Sequence, residues 1–147
     1  MTKMQPVAGS FDHYPVYKIS AKDSNKFALL CDSASQSVPF VMCIEIFDVG
    51  GATPENVHEI AHEHFYVLSG VGKARAGEFE CDLEPGAHLL VPPGTPHAIC
   101  NTGSKRLYVL TTMAPDERFS ALIRSGIPAE LDDEDRAVLL NHSPKWQ

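Results

Sequence analysis

Three histidines and two glutamates crowd into seven positions, His58-Glu59-Ile60-Ala61-His62-Glu63-His64. Imidazole and carboxylate are the ordinary ligands of zinc, iron, manganese and nickel. The tract is therefore the first place in the chain to look for chemistry. The competing account is a polar, solvated corner between strands, or a dimer contact. Read literally, His58-Glu59-Ile60-Ala61-His62 is H-E-x-x-H. On a helix, residues i and i+4 share a face, so His58 and His62 would grip zinc while Glu59 acts as base, as in a zinc hydrolase. Thr53 suits a helix cap, Pro54 suits the first position, and Val57, Ile60 and Ala61 repeat at helical spacing. Against this, only about a dozen residues separate Gly51 from the β-rich Phe65-Tyr66-Val67-Leu68. Nothing helical follows His64, and no third ligand stands on a following helix.

The elements around the tract are short and β-rich. Strands are expected over Val16–Ile19, Lys26–Cys31, Val38–Val49, Phe65–Leu68, Lys73–Ala76, Glu78–Leu83, His88–Val91, His97–Cys100 and Arg106–Met113. Between them stand Asp23-Ser24-Asn25, Gly50-Gly51, Ser69-Gly70, Gly77, Glu84-Pro85-Gly86, Pro92-Pro93-Gly94 and Asn101-Thr102-Gly103. Many short strands with Gly, Pro and Asn between them describe an antiparallel sandwich or barrel. After Met113 the pattern changes. Ala114-Pro115-Asp116-Glu117 opens a helix with an apolar stripe at Phe119, Leu122 and Ile123, ended by Gly126. A second helix is expected over Leu131–Leu140, with Val138 and Leu139 against the barrel. Its acidic run, Asp132 to Asp135, reads as helix-start chemistry and a solvated face.

The divisions are then an N-terminal arm (1–15), a barrel (16–113) and a C-terminal helical extension (114–147). At 147 residues, 44% hydrophobic and 21% charged, the chain has the composition of one ordinary globular domain. No apolar run approaches the roughly 20 residues of a membrane-spanning helix, so no membrane partner is expected. The opening MTKMQPVAGSFDHYP has no apolar signal core, which points to a cytoplasmic protein. A net charge of −7 without a basic cluster argues against nucleic acid. Cys31, Cys43, Cys81 and Cys100 form no C-x-x-C pair and read as reduced structural thiols.

A second reading of the histidines uses more of the chain. Gly50, Asn56-x-His58, Glu63 and Gly70 follow the spacing G-x5-H-x-H-x(3–4)-E-x6-G. Gly86, Pro92, Gly94, His97 and Asn101 follow G-x5-P-x-G-x2-H-x3-N. These two patterns resemble the conserved motifs of the cupin superfamily, and the chain is identified as similar to its small single-domain members. The resemblance implies an all-β, double-stranded β-helix (a jelly-roll barrel) with one or two short C-terminal helices. It implies that His58, Glu63 and His97 are metal ligands. The family's first histidine is Asn56 here. That leaves two histidines and a carboxylate, the facial-triad set with open positions. Asn56 can add a weak oxygen ligand, or His62 a nitrogen after a register shift. A member with weak or no metal is the remaining alternative. His64 points outward if Glu63 points inward, and His88 is expected outward as well. Tyr66, Tyr108, Phe47, Phe65 and Met113 are candidates for the cup wall, with plain core as the rival account.

The function expected from this resemblance is a metal-dependent enzyme on a small organic molecule, dioxygenase-like, with Fe, Mn, Ni or Zn as the cofactor. An isomerase or lyase, or a non-catalytic binding or sensing module, are the alternatives. Cupins commonly pair as homodimers, and the strand-rich Val38–Val49 run is a plausible contact.

Overall fold

Strand boundaries follow the turn residues. The computed structural model describes residues 3–141, so the outermost residues of the arm and of the extension lie outside the described residues. In chain order the strands are β1 (Val16–Lys18), β2 (Asn25–Cys31), β3 (Val41–Phe47), β4 (His62–Ser69) and β5 (Gly72–Ala76). They continue with β6 (Phe79–Leu83), β7 (His88–Val91), β8 (His97–Asn101), β9 (Leu107–Ala114) and β10 (Ile127–Ala129). Three short α-helices accompany them among the described residues: α1 (Ser33–Gln36), α2 (Phe119–Arg124) and α3 (Asp133–Leu140). All pairings are antiparallel. One sheet runs β10-β1-β2-β3-β9-β4-β7 and the other β6-β5-β8. This is the expected all-β jelly-roll barrel with short C-terminal helices.

The inward faces of the two sheets share one apolar core, with Phe47, Phe65 and Val67 meeting Ala74, Leu83 and Ile99. The β3 strand is buried on both faces, which explains its unbroken apolar run. Val41, Cys43 and Phe47 face inward, whereas Ile44 and Ile46 pack outward with Leu131 and Leu139 of the C-terminal segment. Gly70 is required by the turn after β4. Its φ is +89°, and a Cβ there would lie 2.5 Å from the carbonyl oxygen of Arg106. Asn101, the last residue of the second motif, is buried and structural. Its amide donates to the carbonyls of Phe47, Asp48 and Lys105 at 3.3, 3.0 and 2.8 Å.

Several expectations are corrected. The Val38–Val49 strand is shorter, Val41–Phe47. The helix expected from Ala114 starts at Phe119, because β9 continues through Ala114 and Glu117 and Arg118 take left-handed backbone angles. Strand β10 was not anticipated; it carries Pro128, which an edge strand tolerates. The arm is not wholly loose, since Phe11 and Tyr14 pack against the outer apolar cluster. The acidic run does form a capping box, Asp132 with Asp135. Asp135, however, is fully buried rather than solvated. It meets Lys26 Nζ at 2.5 Å, Arg106 Nη1 at 3.0 Å and the Tyr108 hydroxyl at 2.9 Å. All four cysteines are free, and Cys43 is buried. Among the described residues, no helix is long and apolar enough to cross a membrane.

Candidate metal centre

Three separate segments bring the site together. Glu63 is the second residue of β4, on the inward parity it shares with Phe65 and Val67. His97 opens β8, and Gly94 (φ +76°) starts the turn that carries it inward. His58 comes from the segment between β3 and β4. That segment runs antiparallel beside β8 as an irregular strand. Thr53 N–H donates to Ile99 O, Asn56 and His97 exchange both backbone bonds at 2.9 Å, and Gly94 N–H donates to His58 O at 2.7 Å. No helix forms over 53–64, so the H-E-x-x-H geometry is absent.

The donor atoms of His58, Glu63 and His97 lie within 4.8 Å of one another, the one such group of three among the described residues. Both Nε2 atoms, of His58 and of His97, stand 2.8 Å from the same oxygen, Glu63 Oε2. The outer nitrogen of His97 is held elsewhere. His97 Nδ1 is 2.9 Å from Thr95 O, and a carbonyl oxygen only accepts, so Nδ1 carries the proton. The Nε2 of a neutral His97 would then aim a lone pair at a carboxylate oxygen. Only a second proton or a cation between them makes that contact favourable. Burial favours neutral His97, but the Glu63 hydrogen bond and charge outweigh it and raise its pKa. Burial likewise opposes ionisation of Glu63, yet its bonds from His58 and His97 hold the carboxyl below its usual range. Two imidazole nitrogens and a carboxylate oxygen, poised for a shared positive charge, fit a divalent transition metal.

The remaining sequence candidates sit apart from this group. Asn56 is exposed at the cavity edge, and its amide donates to Pro54 O at 3.2 Å. His62 is exposed on the opposite parity of β4. His64 also points outward, with Nε2 3.0 Å from Nδ1 of the exposed His88.

Above the triad is a cavity of about 360 Å³. Phe65 and Met113 line it as expected, whereas Phe47 and Tyr108 are core and Tyr66 is exposed. Sequence reasoning missed Phe27, Val57, Phe119 and Leu122 in its wall, and two carboxylates, Glu45 and Glu117. Glu45 is 3% exposed and accepts a hydrogen bond from Asn25 Nδ2 at 2.6 Å. Burial, then the charge of Glu63, push its carboxyl up to about 8, and the Asn25 bond only partly offsets them. Burial thus favours the protonated form of Glu45. Its signal was available, because it is the one charged residue on the inward parity of β3, Val41-x-Cys43-x-Glu45-x-Phe47.

Comparison with known proteins agrees with this architecture. Residues 43–113, just under half of the chain, match the family model described as a cupin domain. A predicted oxalate decarboxylase from Thermotoga maritima superposes with a TM-score of 0.68 at 19% identity, over 74% of this chain and 99% of that one. A sugar phosphate isomerase of the cupin superfamily from Silicibacter pomeroyi gives 0.56 at 17% identity, over 62% and 59%. An uncharacterized protein of Methanocaldococcus jannaschii is 31% identical over 70 residues, 48% of this chain. The match spans only 56% of that relative's length. The chain therefore has the cupin fold, and its residues 43–113 are similar to the cupin domain. Two differently named activities among its structural neighbours mean that the fold alone does not choose a reaction.

Proposed function

We propose that the protein is a metal-dependent enzyme that oxygenates a small organic molecule in this cup. The observation that carries the reading is the convergence of His58 Nε2 and His97 Nε2 on Glu63 Oε2, at 2.8 Å each. Two histidines and one carboxylate leave coordination positions open for substrate, the ligand set associated with non-haem iron oxygenases. A metal held there supplies a Lewis acid and, if it is iron, reactivity toward dioxygen.

The chain's own residues do the rest. His58, Glu63 and His97 hold the ion. Phe27, Phe65, Met113 and Phe119 give the cup apolar surface that suits a small carbon skeleton. Glu45 faces the same cavity, and its burial, which favours the protonated carboxyl, suits it to donate a hydrogen bond to an oxygen of the bound molecule. The test is oxygen consumption by anaerobically Fe²⁺-loaded protein against a panel of small organic acids, enols and phenols. Substrate-dependent uptake that disappears in His97→Ala is expected. A fully loaded protein that consumes no oxygen with any of the panel would remove the oxygenase reading.

A further inference from the structure

Two successive residues past the barrel, Glu117 (φ 51°) and Arg118 (φ 66°), occupy the left-handed region. Neither is glycine, asparagine or aspartate, the residues that tolerate it. Such a conformation persists only where its surroundings hold it, and it collects at functional positions. The anchors are visible on both sides. Asp116 N–H donates to Pro39 O at 3.1 Å, and its buried carboxylate accepts from Ser120 N at 2.8 Å and from the Ser33 and Ser120 hydroxyls. Beyond the turn, Arg124 of α2 pairs with Asp32 through Nε at 3.2 Å and Nη2 at 2.8 Å.

Between these anchors the backbone turns Glu117 toward the metal centre. Its Oε1 accepts from Ile60 N–H at 2.6 Å. Its Oε2 lies 3.7 Å from His58 Nδ1, beyond a direct hydrogen bond but within electrostatic reach. The opposite nitrogen, Nε2, is the one that faces Glu63. Metal-binding histidines usually meet a carboxylate or carbonyl on the outer nitrogen, which fixes the tautomer and the ring direction. For His97 that partner is the Thr95 carbonyl, within the matched domain. For His58 it comes from residue 117, outside the 43–113 match.

We propose that Glu117 is the positioning residue of this centre, holding the proton of His58 on Nδ1 so that Nε2 is presented to a metal ion. The inference rests on the metal reading above. It also assigns a purpose to the left-handed turn, which a helix running straight from Ala114 would not serve.

The test uses Co²⁺ alone as probe, with full-length wild type, Glu117→Ala and Glu117→Gln, each titrated and followed by its visible spectrum. Glu117→Ala is expected to weaken Co²⁺ binding roughly 10- to 100-fold. Glu117→Gln retains an acceptor for Ile60 N–H but no charge at His58. It should fold with a metal-free melting temperature like wild type, bind Co²⁺ more weakly, and show shifted ligand-field bands. Wild-type affinity and an unchanged spectrum in Glu117→Gln would mean that Glu117 only ties the turn to Ile60, and would overturn the proposal. Unchanged affinity in Glu117→Ala would overturn it as well. If wild type itself bound no Co²⁺, the metal reading would fall first and this inference with it.

Discussion

Replacing Glu45 by glutamine should make the metal-free protein more stable, and only above a defined pH. In the folded protein burial pushes the Glu45 carboxyl up to about 8 from its ordinary 4.5. A carboxyl with a raised folded pKa binds its proton more tightly in the native state. Its favourable contribution is complete below pH 4.5 and is lost as pH rises toward 8. At about 1.4 kcal/mol per pH unit, wild type forfeits about 3 kcal/mol at pH 7 and about 5 kcal/mol above pH 8. Glutamine is neutral throughout, and its amide oxygen can accept the Asn25 bond. For a chain of this size, about 3 kcal/mol corresponds to roughly 6–12 °C in melting temperature. The assay is thermal unfolding of chelator-treated wild type and Glu45→Gln at pH 4.5, 6, 7 and 8. The gain should be near zero at pH 4.5 and grow with pH. Bound metal neutralises the Glu63 charge that helps to raise Glu45, so loading should shrink the gain. Equal melting temperatures at pH 7, or a gain independent of pH, would refute the reasoning.

Three further substitutions probe the frame and the cavity edge. Asp135→Asn removes the buried negative charge that Lys26 and Arg106 share and leaves a single amide oxygen to accept from them and from the Tyr108 hydroxyl; urea unfolding should show a loss of about 3–5 kcal/mol. Gly70→Ala forces a Cβ to 2.5 Å from Arg106 O at φ +89°, and a loss of about 2 kcal/mol or more is expected in the same assay. Asn56→Ala should leave metal affinity within about twofold by competition titration, because the Asn56 amide is engaged with Pro54 O.

What the sequence made legible follows from what its residues can do locally. Gly70, Gly86 and Gly94 all have positive φ, so the turn signals marked real strand ends. Parity along β4 correctly separated inward Glu63 from outward His64. Periodicity could not decide the conformation around His58, since Val57, Ile60 and Ala61 fit a helix as well as they fit a segment laid along β8. There the ladder with His97 and Ile99, a non-local pairing, decided the outcome. The same limit hid Glu117, whose role depends on a turn held by Pro39, Ser33 and Ser120, the first two about 80 residues away in sequence. Glu45 stood in an apolar run, and both its partner Asn25 and the cavity it faces are supplied by other segments of the chain.

The central claim is a metal ion held by His58, Glu63 and His97. Elemental analysis of untagged protein purified without chelator, beside His58→Ala and His97→Ala, tests it most directly. The account predicts near-stoichiometric Fe, Mn, Ni or Zn in wild type and its loss in both variants. A wild type that is empty and takes up no added metal, or variants that keep a full equivalent, would contradict it.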